Sequence, residues 1–220
     1  MFTIIYKQHH MNITLLSLIG IIVLVSFKGF NDETFFRKFQ FHIGSIRAGE
    51  HFRMFSSGFL HADPMHLFFN MFTLYSFGPV VTEHFGDFSF ILIFVVSLAF
   101  GSLLTLLMHK NEFNYSAIGA SGAVMGILYA SILIYPDMRL YMPFPMPGYI
   151  FGILYLLYSI YGMKAKNDNI GHTAHFGGAI GGYFMTLTKE PSMFTDNIFM
   201  VELLAIPIVI LFVLTKMGKL

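Results

Sequence analysis

The chain has 220 residues, of which 55% are hydrophobic and 11% charged, so it is far more apolar than a soluble domain of ordinary composition. A helix that crosses the hydrocarbon core needs about 20 apolar residues, and this length therefore accommodates six or seven membrane spans and no separate soluble domain. The formal net charge of +1 argues against a nucleic-acid partner, and the lack of cysteine excludes disulfides, thiolate metal sites and a cysteine nucleophile.

The first predicted helix covers residues 13–27 and is followed by a long connection over residues 28–60. No small-residue cleavage pattern follows the helix, which we therefore interpret as a retained span and not a signal peptide. A connection of this length usually carries function or structure of its own. Its Phe and Arg content predicts that part of it lies in the membrane interface, with Arg47 and Arg53 at the headgroups. The phenyl rings expected in the lipid are those of Phe35, Phe36, Phe39, Phe41 and Phe52.

The second predicted helix has clear start and stop signals. Asp63 is an N-cap candidate, and Pro64 follows at the first helical position, where its missing N–H costs nothing. The Gly78-Pro79 pair predicts a kink, and the helix is expected to end by Gly86. The remaining predicted helices cover residues 88–108, 119–135, 149–163, 171–188 and 198–214.

This pattern predicts an all-α polytopic membrane protein. We expect residues 1–190 to form a six-helix core and residues 191–220 to form a linker and an additional C-terminal transmembrane helix. The connection rich in proline at residues 143–147 is expected to be extended, and the polar connection at residues 164–169 is a hypothetical lid.

Polar side chains inside the predicted spans are few and by default mark function, because they are costly in lipid. They are His66 and Asn70 in the second span, Ser121 in the fourth, and His172 and His175 in the sixth. Spans two, four and six all begin at odd-numbered loops, which lie on one side of the membrane. These side chains are therefore expected near the same membrane face, although they are far apart in the sequence.

Glycine pairs four residues apart on two of these spans predict close helix packing. The pairs are Gly122 with Gly126, Gly177 with Gly181, and Gly178 with Gly182. Such small-residue faces let two backbones approach closely. We expect this approach to let Ser121 and His175 share a hydrogen bond.

The chemistry that this arrangement favours is acyl transfer. Ser121, set between Gly119 and Gly122 at a helix start, needs a base, and the neutral imidazole of His175 can serve. Attack on an amide creates an oxyanion that needs donors in place. His66 and Asn70, four residues apart on one helix face, and the Ser121 backbone N–H are the candidate donors. No carboxylate is placed to orient His175, which predicts a dyad.

In their order along the chain these residues resemble the rhomboid family of intramembrane serine proteases, over nearly all of residues 11–190. The matching pieces are Phe52-Arg53 (resembling a Trp-Arg pair), His61, His66 with Asn70, Gly119-Ala120-Ser121-Gly122, and Ala174-His175 with Gly178. Each piece lies at the expected span. The resemblance implies a six-helix rhomboid fold, to which the seventh helix is an addition.

The resemblance also implies roles for individual residues. Ser121 would be the nucleophile, His175 the base, and His66 with Asn70 would line the oxyanion hole, whereas His61 would be structural. The implied substrates are single-span membrane proteins, cut in or near the membrane at small residues where the helix unwinds easily. No cofactor is implied. We expect a multi-pass protein in contact with membrane lipids, in the plasma (inner) membrane of a bacterium.

Two features depart from the family pattern. Met125 stands four residues after the serine, where some members carry a tyrosine that stacks on the catalytic histidine; a thioether can also pack on a ring. With seven spans, the odd loops and the C-terminal tail hold ten of the thirteen basic residues. The positive-inside rule would place that side, with the mouth of the site, in the cytoplasm, whereas the family opens its site to the opposite side. Five of the ten lie in the first loop, where structural duties could account for them, and we favour the family orientation.

Three alternatives remain to be weighed. A metal site could use His61, His66, His172 and His175, but catalytic zinc usually has a carboxylate ligand or a glutamate base nearby, and the sequence shows none. A catalytically inactive adaptor of the same fold could bind transmembrane helices without cutting them, although both the serine and the histidine are present. A transporter would show an internal repeat and a polar path at the midplane, and neither is visible in the sequence.

Overall fold

The computed structural model describes residues 12–140, 146–165 and 170–220. The described helices are α1 (Ile13–Asn31), α2 (Glu33–Phe39), α3 (Ile43–Arg47), α4 (Arg53–Ser56), α5 (Pro64–Phe85), α6 (Asp87–Met108), α7 (Ser121–Ile134), α8 (Gly148–Ala165), α9 (His172–Lys189), α10 (Met193–Asp196) and α11 (Ile198–Lys216), with a 3₁₀ helix at Ser57–Phe59. The two-residue strands are β1 (Phe41–His42), β2 (Ser116–Ala117), β3 (Arg139–Leu140) and β4 (Met146–Pro147). The predicted all-α polytopic fold is confirmed, and the seven long helices lie where the sequence predicts them.

The helices differ in how readily each would cross a membrane alone. By length and apolar composition, α1, α6 and α11 are long and apolar enough to span, and α7 is a shorter apolar helix. The other long helices carry polar residues or glycines on the faces that they turn toward the bundle. Three predicted features fall outside the described residues: the tail at residues 1–11, the prolines at 143 and 145, and residues 166–169 of the hypothetical lid.

The ends of α5 follow the predicted signals. The Asp63 side chain accepts a hydrogen bond from the backbone N–H of His66 at 2.9 Å, and Pro64 is the first helical residue. Pro79 lies inside the helix, which continues to Phe85. Gly86, with φ of +80°, then turns the chain directly into α6, a backbone conformation that glycine adopts at little cost.

The first connection is a folded unit, and Arg53 is buried within it. Only 8% of Arg53 is exposed. Its Nε donates to the Glu50 carboxylate at 2.6 Å, and its Nη1 donates to the carbonyl oxygens of Arg37 at 2.7 Å and Gln40 at 3.0 Å. The expectation that Arg53 lies at the lipid headgroups is therefore wrong, because its guanidinium satisfies backbone carbonyls inside the loop.

Phe41 is likewise inside the protein and not in the lipid. It is 2% exposed and packs with Ile43 and Ile46 in a small cluster apart from the main core. Phe52 is 45% exposed, as the interfacial interpretation expects. Strand β1 pairs with β2, with Phe41 opposite Ala117, so the first connection is tied to the segment that leads into α7.

Helix α9 packs against both α6 and α7, which also contact each other, and glycines make both contacts of α9. A Cβ placed on Gly178 would overlap the carbonyl oxygen of Gly122, and one on Gly182 would overlap that of Gly126. On the side facing α6, a Cβ on Gly177 would lie 2.5 Å from the Phe100 carbonyl oxygen. The backbones of three helices therefore touch without intervening side chains, as small-residue faces permit.

The last helix packs on the bundle through α8. Met200, Val201 and Leu204 of α11 are buried, and the Tyr183 hydroxyl of α9 donates to the Val201 carbonyl oxygen at 2.9 Å. The additional helix therefore contacts both α8 and α9.

Candidate active site

The segment before α7 is held so that Ser121 begins the helix. The Gly119 N–H donates to the Ser57 carbonyl oxygen at 3.0 Å. Gly119 has φ of +116°, and a Cβ there would lie 2.8 Å from the His66 ring. Glycine is therefore required at residue 119 both by the backbone conformation and by the space available.

Ser121 and His175 meet across the contact between α7 and α9. The Ser121 Oγ and the His175 Nε2 are 2.6 Å apart, and His175 is 6% exposed. The two residues are 54 positions apart in the sequence. They are brought together because Gly122 and Gly178, each close to one of them, let the two backbones touch.

A third side chain reaches the same imidazole from α8. The Tyr155 hydroxyl lies 2.9 Å from the His175 Nδ1, and the two ring centroids are 5.6 Å apart. The sequence interpretation did not include Tyr155. One tyrosine in an apolar helix that also holds Tyr149, Tyr158 and Tyr161 gives no sequence signal that separates it from the others.

The His66 ring lies beside Ser121. Its Nδ1 accepts from the Ala62 backbone N–H at 3.4 Å, so the neutral ring carries its proton on Nε2. The Cβ position at Gly119 is 2.9 Å from that Nε2 and 3.6 Å from the Ser121 Oγ. An N–H donor is therefore available in the space next to the serine hydroxyl.

Asn70 joins this group through the backbone of His66. Its Nδ2 donates to the His66 carbonyl oxygen at 2.9 Å, and the side chain is buried at 6% exposure. Because an amide nitrogen has two hydrogens, one more donation is chemically open to it.

His61 is buried under the same segment and is held as a neutral ring. Its Nε2 accepts from the Ala120 N–H at 3.4 Å, and its Nδ1 lies 2.8 Å from the Ser26 Oγ, which in turn donates to the Phe59 carbonyl oxygen at 2.9 Å. This chain of donors requires the proton on Nδ1. Burial lowers the pKa of His61 to about 3, with a smaller contribution from His66. His61 thus supports the backbone at the serine and is not itself placed at the reacting atoms.

His172, the other histidine considered from the sequence, is buried against α8. It is 4% exposed, its ring packs edge-on to Tyr158 with centroids 5.2 Å apart, and a Cβ on Gly162 would overlap it. Within residues 12–140, 146–165 and 170–220, no group of three or more His, Cys, Asp or Glu side chains is arranged to hold a metal ion.

In this arrangement the Ser121 hydroxyl lies within hydrogen-bond distance of the His175 imidazole. The serine also begins α7, and the first N–H groups of a helix have no acceptor within the helix. Such a site can attack a carbonyl carbon and stabilise the resulting oxyanion. Set among apolar helices, it defines the class of integral membrane proteins with a serine hydrolase type of site.

The comparison with known families agrees with this class. The Rhomboid domain matches residues 48–191, about two thirds of the 220 residues, and the chain belongs to the Rhomboid family. The matched region begins in the first connection and ends just after α9, so it contains Ser121, His175, His66, Asn70, His61 and Tyr155.

Individual relatives are distant in sequence. The chain is 28% identical over 174 residues to RHOMBOID-like protein 12, mitochondrial, of Arabidopsis thaliana. It is 30% identical over 140 residues to the rhomboid protease GluP of Bacillus subtilis and 27% identical over 157 residues to the rhomboid protease AarA of Providencia stuartii. These alignments cover 71%, 63% and 63% of the chain, and 52%, 26% and 56% of the relatives' own lengths.

Proposed function

We propose that this protein is an intramembrane serine endopeptidase that uses Ser121 and His175 as a catalytic dyad. The observation that carries the proposal is the 2.6 Å contact between the Ser121 Oγ and the His175 Nε2. Membership of a family whose members include named proteases supports it.

The proposed reaction begins when the Ser121 Oγ attacks the carbonyl carbon of the scissile peptide bond and its proton passes to the His175 Nε2. The oxyanion accepts hydrogen bonds from the Ser121 backbone N–H, from the His66 Nε2 and from the Asn70 amide. The tetrahedral intermediate collapses as His175 gives its proton to the leaving amine. Water then attacks the acyl-enzyme, again with His175 as base, and releases the second product.

The proposed substrates are single-span membrane proteins, cut in or near their transmembrane segments where small residues let the helix unwind. A peptide bond in a regular helix has its carbonyl hydrogen-bonded, so unwinding must precede attack. The bacterial plasma membrane is the proposed location; the chain is similar both to relatives named for mitochondria and to relatives from bacteria.

Cleavage of a reporter single-span protein in liposomes tests the proposal. We expect the wild type to cut it and to react with a serine-directed fluorophosphonate probe. Ser121→Ala should lose both activities, and His175→Ala should lose cutting and keep only a slow residual rate of labelling. Ser76→Ala is the control: the Ser76 hydroxyl of α5 donates to the Phe72 carbonyl oxygen, and its loss should change neither readout.

The opposite result would favour the adaptor. A folded wild type that cuts none of several single-span proteins and leaves Ser121 unlabelled would contradict the protease proposal. If it nevertheless retained those proteins on co-purification, a role in binding transmembrane helices would account for it.

A further inference from the structure

The imidazole of His175 is contacted on both of its nitrogens. Its Nε2 faces the Ser121 hydroxyl at 2.6 Å, and its Nδ1 faces the Tyr155 hydroxyl at 2.9 Å. The two contacts come from different helices, because Ser121 begins α7 whereas Tyr155 lies in the middle of α8.

The reaction fixes the direction of the second hydrogen bond. To take the proton of Ser121, the His175 Nε2 must be free of hydrogen, and a neutral imidazole then carries its proton on Nδ1. That N–H can donate to the Tyr155 oxygen. When the ring takes the serine proton and becomes an imidazolium, the same oxygen accepts from a charged donor, which strengthens the bond.

The position of Tyr155 is itself constrained. Its ring stacks on Phe151 with centroids 5.8 Å apart, and the Ser159 Oγ donates to its backbone carbonyl oxygen at 3.0 Å. On α7, Met125 is buried at 6% exposure and has no hydroxyl or other group that could bond strongly to a ring nitrogen. The phenol of α8 therefore supplies Nδ1 with a hydrogen-bond partner that Met125 cannot supply.

We propose that Tyr155 is a positioning residue for the catalytic base. It holds His175 in the tautomer and rotation that leave Nε2 facing Ser121, and it stabilises the imidazolium that forms during attack. This inference rests on the proposed protease function, and it makes the geometry of the dyad depend on the place of α8.

The test compares Tyr155→Phe, which removes only the hydroxyl, with Tyr161→Phe on the same helix, where the side chain is 60% exposed. Both are measured for kcat and KM on the reporter protein in liposomes and for the rate of fluorophosphonate labelling. If the bond strengthens on forming the imidazolium by about as much as one neutral hydrogen bond contributes, its loss corresponds to a factor of about 3 to 10. We expect Tyr155→Phe to lower kcat and the labelling rate by that factor with KM unchanged, and Tyr161→Phe to match the wild type.

A double variant separates positioning from a general structural role. If Tyr155 acts through the base, adding Tyr155→Phe to His175→Ala should lower the residual labelling rate no further. A decrease of similar size in both backgrounds would overturn the inference, as would a change in KM alone. A wild type that cuts and is labelled, with Tyr155→Phe equal to it, would overturn this inference and leave the protease proposal standing. A wild type that does neither would overturn both.

Discussion

His66 lies next to Ser121, where the oxyanion forms under the proposed function. Its loss should therefore lower activity more than the loss of any residue other than Ser121 and His175. We expect His66→Ala to lower kcat by about 100- to 1000-fold, equivalent to about 2.7 to 4 kcal/mol of transition-state stabilisation. Steady-state cleavage of the reporter would measure this. His84→Ala is the matched control on α5, because His84 pairs with Glu190 at the other end of the helix. If His66→Ala cut the reporter at the wild-type rate, the proposed role of His66 as an oxyanion donor would be wrong.

His61 should make the stability of the fold depend on pH. An unfolded chain protonates this imidazole below its ordinary pKa of 6.5, whereas burial lowers the pKa in the folded protein to about 3. The stabilisation is therefore complete above pH 6.5 and is lost progressively as the pH falls from 6.5 toward 3. At pH 4.5 the loss from this residue is about 3 kcal/mol. Thermal unfolding in detergent between pH 7.5 and 4.5 would measure it.

The control for that measurement is His61→Gln, which keeps polar atoms but cannot titrate. Its melting temperature should fall less steeply over the same pH range than that of the wild type. Equal slopes in the two proteins would show that other groups cause the acid sensitivity.

For single residues, the sequence identified candidate site residues more reliably than it predicted what each side chain contacts. Ser121, His66 and His175 could be selected because polar groups in apolar spans are rare. Tyr155 could not, because its partner is 20 residues away on another helix and tyrosines are common in α8. Arg53 was misplaced for a related reason: whether a guanidinium meets lipid or backbone carbonyls depends on how the chain folds around it.

Among the elements, α9 determines the geometry of the site because its two glycine faces touch two neighbours. We expect Gly178→Ala to separate α7 from α9, since the added methyl group would overlap the Gly122 carbonyl oxygen, and backbone cannot give way as a flexible side chain can. Overpacking of this kind costs about 1 to 3 kcal/mol or more. The melting temperature in detergent should fall. The cleavage rate should also fall at temperatures where the variant is still folded, because Ser121 and His175 lie on opposite sides of this contact.

Gly20→Ala in α1 provides the matched change, because a Cβ there meets no atom within 4 Å. It should leave cleavage unchanged and stability equal or slightly higher, since alanine favours a helix over glycine. If both variants behaved alike, the glycine contact would not be what sets the distance within the dyad.

The long helices are predictable because the signals for each lie within its own sequence. These signals are a run of apolar residues and end signals such as the Asp63 cap and Gly86. The short elements of the first connection are not predictable in this way. A two-residue strand such as β1 is too short to show the alternation of apolar and polar residues that predicts a strand. It forms by pairing with the backbone of β2, which lies 74 or more residues later in the chain. Structure that depends on a distant partner leaves little trace in its own sequence.

For the molecule as a whole, the internal contacts of the first connection bear on orientation. Arg53 is buried, and Arg47 donates to the Lys110 carbonyl oxygen at 2.8 Å. Such contacts give these basic residues structural roles, which weakens them as topology signals. We therefore expect the odd-numbered loops to lie on the side away from the cytoplasm.

The lack of native cysteine makes this expectation simple to test. Asn111→Cys lies in the loop between α6 and α7, and Thr195→Cys lies beyond α9, and both positions are exposed. A membrane-impermeant maleimide added to intact cells should label Asn111→Cys, and should label Thr195→Cys only after the membrane is permeabilised. The reverse pattern would establish the orientation that the positive-inside rule predicts.

Because α7 and α9 must pack together to form the site, the stage of synthesis at which α9 enters the membrane determines when the site can form. The ribosome synthesises the chain from its amino end. The Ser57 carbonyl oxygen therefore has no hydrogen bond from Gly119 until that residue is made, and Ser121 has no hydrogen bond to His175 until 54 more residues have been added. Until α9 has entered the membrane, α6 and α7 lack the helix that packs against both of them, and the serine lacks its base. Under the proposed function, an unfinished chain cannot cut its neighbours in the membrane, and proteolytic activity begins only once the sixth long helix is in place.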